Sequence, residues 1–299
     1  MSSRTKVQFG ASGVSGRNYV ELGKDKTREL FNRTLAGGLS GFCISPYEEG
    51  QQPGDHLTEE QVRRRLNIIQ PHCKWVRSFS CTEGNELVPK IAKELGMKTM
   101  VGAWLGDDPE KNKVEIAGLI RVAKEGLVDI AAVGNEVLYR GDMELSDLLA
   151  TIKHVQDELP DVTVGYVDAY YEFTDHPELV DASDVVLANC YPYWEGCPFE
   201  HSLVYMKQMY QQAVDAARGK KVIITETGWP SQGTPTKGSV PSEENAMGYF
   251  INAVEWTEEK GIDLFYFSSF DESWKVGAEG DVGAYWGVWD KDENIKYQE

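Results

Sequence analysis

Eight short runs of β-favouring residues recur along this chain, and the segments between them carry helical periodicity. The runs fall at Gly41–Ser45, Trp75–Phe79, Lys98–Ala103, Asp129–Gly134, Val162–Val167, Asp184–Cys190, Lys221–Thr225 and Asp263–Phe270. Most are apolar on consecutive residues (VVLA, VIIT, LFYF) rather than on alternate ones, as strands covered on both faces require. Between them, Thr58-Glu59-Glu60-Gln61 has capping-box form and leads into Val62, Leu66 and Ile69 on one helical face. Leu87, Ile91 and Leu95 make a second stripe, and Leu145, Leu148, Leu149, Ile152 and Val155 a third. The segment Glu243–Glu258 carries Met247, Phe250, Ile251 and Val254. These stripes read as core-facing surfaces. Strand and helix alternating over about 250 residues predict an α/β chain folded as a (β/α)8 TIM barrel. A doubly wound open sheet is the competing architecture, but neither GxGxxG nor GxxxxGK[ST] follows a strand here. With no low-complexity linker, residues 40–299 read as one barrel domain. Residues 1–39 read as an N-terminal extension packed on the barrel or closing its bottom.

Composition narrows the function classes. The 299 residues are 41% hydrophobic and 11% aromatic, which supports one large core and argues against intrinsic disorder. No apolar run reaches the roughly 20 residues that span a bilayer, so membrane insertion is not expected. Lys and Arg number 30 against 48 Asp and Glu, a net charge of −18 that repels polyphosphates and disfavours nucleic acid. The five cysteines (Cys43, Cys73, Cys81, Cys190, Cys197) include no CxxC pair. Cys73 with Cys81, or Cys190 with Cys197, could bridge a short loop, but buried free thiols are the preferred reading. His56, His72, His154, His176 and His201 are dispersed and none ends a strand, so no metal site is expected. Residues 1–10 (MSSRTKVQFG) show no apolar h-region, so no signal peptide is expected there. Asn32-Arg33-Thr34 is a glycosylation sequon, informative only for a secreted eukaryotic chain.

In barrels of this kind the reactive groups lie at the C-terminal ends of the strands. The fourth strand ends Gly134-Asn135-Glu136-Val137, and the seventh ends Thr225-Glu226-Thr227-Gly228. Each sets a carboxylate where an apolar strand meets a polar rim, costly to keep charged unless paired or used. One alone reads as a salt-bridged rim residue. Two, on strands facing each other across the mouth, suit glycosidic bond cleavage by a proton donor and a nucleophile or base. Aromatics crowd the same rims: Tyr47, Trp104, Tyr139, Tyr170, Tyr171, Tyr191, Tyr193, Trp194, Trp229, Phe270, Trp274, Tyr285, Trp286 and Trp289. Singly they read as packing; beside Asn, Asp and Glu they resemble a sugar-binding cleft.

Four motifs make the resemblance specific. VGNEV (133–137), NCYPYW (189–194), ITETGWPS (224–231) and SFDESWK (269–275), in this order, resemble glycoside hydrolase family 17, the β-1,3-glucanase family. SPYEEGQQPG (45–54) and GAWLGDD (102–108) are closer to its microbial branch than to the plant enzymes. The similarity spans roughly residues 41–290. It implies that Glu136 is the acid/base and Glu226 the nucleophile, and that Asn135 holds the sugar 2-hydroxyl. It further implies an aromatic wall from Tyr191 or Tyr193, and a charged pair flanking the site from Glu272 and Lys275, whose alternative role is a structural ion pair. Tyr47, Trp104, Asp168, Trp194, Trp229, Phe270 and Trp274 complete the expected substrate contacts, and Arg77 is expected to orient a carboxylate from below.

The resulting expectation is a retaining, endo-acting hydrolase of β-1,3-glucan, monomeric, needing no cofactor. It would act outside the cytoplasm because a polymer cannot cross a membrane. Transfer to a sugar hydroxyl instead of water, giving a β-1,3-glucanosyltransferase, and exo action remain alternatives on the same site. A catalytically silent glucan-binding module and a metal-dependent barrel enzyme are the competing classes. The presence of both glutamates opposes the first, and the dispersed histidines oppose the second.

Overall fold

Strands that are apolar on consecutive residues can leave neither face to water, and here they curl into a closed cylinder. The computed structural model describes residues 22–298. Strands β1 (Leu39–Cys43), β2 (Cys73–Ser78), β3 (Lys98–Ala103), β4 (Ile130–Asn135), β5 (Thr163–Ala169), β6 (Val185–Asn189), β7 (Val222–Thr227) and β8 (Leu264–Tyr266) pair in parallel in chain order. β8 returns to β1 through Gly41 opposite Phe265 and Phe42 opposite Tyr266, so no edge is left open. Every residue of β1, β4, β6, β7 and β8 is buried.

Helices of eight residues or more are α1 (Lys24–Gly37), α2 (Glu59–Ile69), α3 (Leu87–Glu94), α4 (Pro109–Lys124), α5 (Leu145–Glu158), α6 (Ser202–Ala216) and α7 (Glu243–Lys260). The capping box read from Thr58 forms: its side chain accepts from Gln61 N–H, and the Gln61 side chain accepts from Thr58 N–H at 3.0 Å. The Asp108 and Ser242 side chains cap α4 and α7 by accepting from first-turn N–H groups, without the reciprocal bond. Between β5 and β6 the chain makes only the short helices Glu172–Asp175 and Pro177–Ala182.

No long helix follows β8. The outer wall there is supplied by α1, which precedes β1. Phe31 of α1 meets Phe250 of α7 and Tyr297 near the C-terminus, each with ring centroids 4.9 Å apart, and Lys24 ion-pairs with Glu243 at 2.8 Å. The expected extension 1–39 therefore contains a wall helix, while its residues 1–21 lie outside the described residues. The first strand begins at Leu39.

The eighth strand is shorter than its sequence pattern. A β-rich run extends to Phe270, but beyond Tyr266 only Phe267 N–H to Thr227 C=O (2.8 Å) and Ser269 N–H to Cys43 C=O (3.1 Å) still reach β7 and β1, and a second pairing begins. Ser268 N–H donates to Trp286 C=O at 3.1 Å, and Trp289 N–H to Ser269 C=O at 2.9 Å, so residues 268–271 pair with 286–289 above the barrel. Local propensity cannot distinguish the two pairings.

Three ladders lose register near their C-terminal ends: β4 against β5 between Ala132 and Asn135, β6 against β7 at Ala188 and Asn189, and β7 against β8 between Ile224 and Thr227. Irregularities of this kind re-aim side chains. They fall on the segments that carry Asn135, Asn189 and Glu226. Just beyond Glu226, the backbone of Gly228 lies so close to β8 that an added Cβ would sit 2.0 Å from the carbonyl oxygen of Phe267. Gly228→Ala is expected to cost about 1–3 kcal/mol or more in denaturant unfolding, because the obstructing atom is backbone. An unchanged midpoint would contradict this packing.

Candidate active site

A buried cation organises the floor of the barrel mouth. Arg77, on β2, is 1% exposed. Its Nη1 donates to Glu226 Oε1 at 2.6 Å and to the Thr225 carbonyl at 2.9 Å, and its Nη2 donates to Asn135 Oδ1 at 2.8 Å. The guanidinium lies over the Phe79 ring, 4.3 Å from its centroid. One rigid fork thus fixes the ends of β4 and β7 relative to β2.

Glu226 is buried, and its hydrogen-bond partners all donate to it. Besides Arg77 on Oε1, the Tyr191 hydroxyl donates to Oε2 at 2.8 Å. Glu136 faces a different environment. It sits just past β4 with φ 54° and ψ 32°, in the left-handed region that side-chain-bearing residues rarely adopt. Gly134 before it, at φ 82°, makes the same reversal. Glu136 keeps a little exposure to the cleft, but its carboxyl is surrounded by protein and has no ion-pair partner at contact distance. Burial, with the nearby Glu226 charge, pushes it up to about 8; the Asn189 amide opposes the rise, Asp168 adds to it and Arg140 opposes it.

One amide touches both carboxylates. Asn189 Nδ2 donates to Glu136 Oε1 at 2.8 Å and to Glu226 Oε1 at 3.3 Å. Those two oxygens can therefore be no farther apart than the sum of these lengths, about 6 Å. Carboxyl separations of about 5–5.5 Å accompany covalent double displacement, and about 6.5–9.5 Å leaves room for an inverting water.

Aromatic and charged groups wall the cleft. Trp194, 37% exposed, lies 5.3 Å from buried Trp286 at 35°. Trp104, 43% exposed, is backed by the Arg140 guanidinium, 4.7 Å from its ring. Arg140 is itself fixed by the carbonyls of Asn135 and Leu105 and by Asp142. On the β8 side, Lys275 Nζ lies 3.2 Å from Glu272 Oε2 and over the Phe267 ring. Burial alone would depress this ammonium, yet Glu272, Glu279 and Glu226 hold it above its ordinary value.

The model of the BtgE/BtgC glycoside hydrolase domain matches residues 41–287, nearly the whole barrel. The chain belongs to this glycoside hydrolase family. A glucan 1,3-beta-glucosidase of Candida albicans is 29% identical over 257 residues, 78% of this chain and 83% of its own length. A glycoside hydrolase family 17 β-1,3-glucanosyltransferase from Rhizomucor miehei superimposes with a TM-score of 0.78 at 31% identity, covering 87% of this chain and 96% of that one. An active-site mutant of the Rhizomucor miehei β-1,3-glucanosyltransferase has been solved with laminaritriose. An endo-laminarinase from a Formosa strain shares the fold, with a TM-score of 0.74 at 20% identity over 87% of this chain and 86% of that one.

Not every residue expected to touch sugar reaches the cleft of this glycoside hydrolase. Glu136, Glu226, Asn135, Tyr191, Glu272 and Lys275 come together around Arg77 and Asn189, and Trp104, Trp194 and Trp274 keep exposed surface. Tyr47 is buried at the edge, accepting from Asn85 Nδ2 at 3.3 Å and packing on Trp274. Four expectations are corrected. Asp168 is fully enclosed, its oxygens taken by the Tyr166 hydroxyl and the N–H groups of Ala169 and Tyr139, and burial pushes it up to about 7. Trp229 is 1% exposed, donating to the Val240 carbonyl and packed between Tyr193 and Tyr249. Tyr193 is fully buried in that stack, and Phe270 is fully buried beneath Arg65. These side chains shape the rim from behind, because strand-end position fixes height in the barrel but not the direction a ring takes.

Two residues escaped the sequence reading. Asn189 ends β6 and satisfies the strand-end rule that singled out the glutamates, so the signal was present. Glu115 lies inside α4 with nothing local to mark it. It accepts from the hydroxyls of Ser80 and Thr82 and from the N–H groups of Cys81 and Trp104, joining the β2 and β3 loops. All five cysteines are free thiols. Among the described residues no group of three or more His, Cys, Asp or Glu side chains is placed to hold a metal ion, and no helix is long and apolar enough to cross a membrane.

The environment of Glu136 has a stability consequence. A carboxyl raised in the folded state to about 8, against an ordinary 4.5, keeps its proton over a window in which the unfolded chain is already ionised. Folding stability therefore declines as pH rises from about 4.5 through 8. Glu136→Gln is expected to raise the melting temperature by a few degrees at pH 9 and by little at pH 5. Equal effects at both pH values would mean that the carboxyl is not held neutral.

Proposed function

We propose that this chain is a retaining, endo-acting β-1,3-glucan hydrolase of the family 17 type, with Glu226 as nucleophile and Glu136 as acid/base. The observation that carries the reading is the single amide that reaches both carboxylates while their environments are opposite. Glu226 accepts from a buried guanidinium and a phenol. Glu136, buried beside another acid, retains a proton near neutrality.

In the first step a Glu226 carboxylate oxygen attacks the anomeric carbon as Glu136 passes its proton to the departing glycosidic oxygen. The acylal bond forms as the glycosidic bond breaks. Esterification then removes the Glu226 charge, and with it one cause of the raised Glu136 value. Glu136, now a carboxylate, draws a proton from water, whose oxygen attacks the same carbon and frees Glu226. Asn135, next to the acid and fixed by Arg77, is positioned to bond a sugar hydroxyl. The exposed faces of Trp104, Trp194 and Trp274 suit the C–H faces of glucosyl units. The named activities of the Candida and Rhizomucor relatives support β-1,3-glucan as substrate. A polymer of this kind is met outside the cell, and action there by a monomer is part of the same proposal.

On laminarin, the first product should carry the β configuration at its new reducing end when followed by NMR before mutarotation. An α product would overturn double displacement. Glu226→Ala should lose activity roughly 10,000-fold or more while remaining folded. In the wild type, kcat/KM should fall as pH rises through about 8, the region in which Glu136 gives up its proton.

Glucanosyl transfer is favoured by one specific feature. Trp104 stands just past the end of β3, beside the strand of the acid, with its ring propped by Arg140, which donates to the carbonyls of Asn135 and Leu105. A rigid aromatic on the leaving-group side can retain a sugar acceptor while water competes. Incubation with laminari-oligosaccharides should then yield products longer than the substrate. Trp104→Ala should cut those products several-fold more than it cuts hydrolysis. Equal losses of both would assign Trp104 to general substrate binding.

A further inference from the structure

We propose that Asn189 is a positioning residue for both carboxylates, and that Thr225 fixes the direction in which its amide points. The proposal rests on Glu136 as acid and Glu226 as nucleophile. Asn189 is 2% exposed and ends β6, at the place where the β6–β7 register shifts. Its Nδ2 supplies both donors of the NH2 group, one to each glutamate. A carboxylate only accepts hydrogen bonds, so nitrogen and not oxygen must face Glu226, and the same nitrogen reaches Glu136. The other end is also fixed. Thr225 Oγ1 donates to Asn189 Oδ1 at 2.8 Å, and Thr225 is fully buried on β7, immediately before Glu226. A rotation of the amide by half a turn would set Oδ1 against two acids and strand the Thr225 hydroxyl.

The amide therefore does two things that packing alone would not. It ties β4 to β7 through β6, at the level of the reacting groups. It also supplies a neutral hydrogen-bond donor to each carboxyl group without pairing Glu136 into permanent ionisation. A lysine there would hold Glu136 charged and unable to donate, and an apolar side chain would leave both acids bare. The other groups facing Glu136 are Glu226 with Arg77 behind it, Asp168 on β5, Tyr139 and Arg140 in the turn after β4, and Tyr191 after β6. Among these Asn189 is the neutral group that reaches both carboxylates.

The test is the pH profile of kcat/KM for the wild type, Asn189→Ala, Thr225→Val and Glu136→Gln, with kcat and KM separated and thermal melting recorded. In Asn189→Ala, kcat should fall roughly 10- to 100-fold with KM little changed, the scale expected on losing a hydrogen bond to a charged group. Its upper pH limb should move to higher pH, since the donor that favours the charged form of Glu136 is gone. Thr225→Val should move the limb the same way by less, and carries the test if Asn189→Ala does not fold. A lowered melting temperature with the limb unmoved in the folded variants would make Asn189 structural and overturn the proposal. Glu136→Gln separates the two levels. Loss of the limb in that variant upholds Glu136 as the acid whatever Asn189 does, and its persistence would sink the acid assignment itself.

Discussion

The ion pair between Arg77 and Glu226 is the interaction on which the rest of the site depends. Both groups are almost wholly withdrawn from water, and each ion buried alone would cost several kcal/mol. Neither can be removed without stranding the other, so the pair is built into the fold itself. The planar fork also reaches Asn135 and the Thr225 carbonyl. Strand register and carboxylate spacing thus become one constraint.

The same barrel gives its second glutamate the opposite treatment. Glu136 receives burial, a neighbouring acid and a neutral amide. Two chemically identical side chains meet different surroundings because one strand end was given a cation at contact distance and the other was not. The left-handed backbone at Glu136 belongs to this arrangement, since it turns the side chain from the strand direction into the mouth. A residue held this way is strained as well as desolvated, and the surrounding eight-strand core has to support both costs.

Much of this was legible in the sequence, for identifiable reasons. Consecutive apolar residues and interleaved helical stripes gave the barrel, and the strand-end rule located Glu136 and Glu226. The rule operates on position along a strand, which is a local property. Which way a ring turns behind the rim is not local. Trp229 and Tyr193 stand beside site motifs yet pack inward, because each finds aromatic partners contributed by distant segments, Tyr249 on α7 and Trp286 near the C-terminus. Asp168 likewise ends a strand but is claimed by Tyr166 two residues earlier. Asn189 was accessible to the same rule and was passed over because an amide carries no charge to draw notice. The last strand misled for a related reason: residues 268–271 have strand propensity, and only the structure shows that they pair mainly with 286–289 rather than extending β8.

The placement of α1 carries a consequence for biosynthesis. This helix precedes β1, yet the rings that meet Phe31 belong to α7 and to Tyr297, more than 200 residues later in the chain. At ordinary translation speeds of about 5–20 residues per second, Phe31 waits about 13–53 seconds for the last of them. An isolated helix of this length is marginal in water. The nascent chain therefore carries an uncovered apolar patch through most of its synthesis, and the cylinder closes only when its two termini meet.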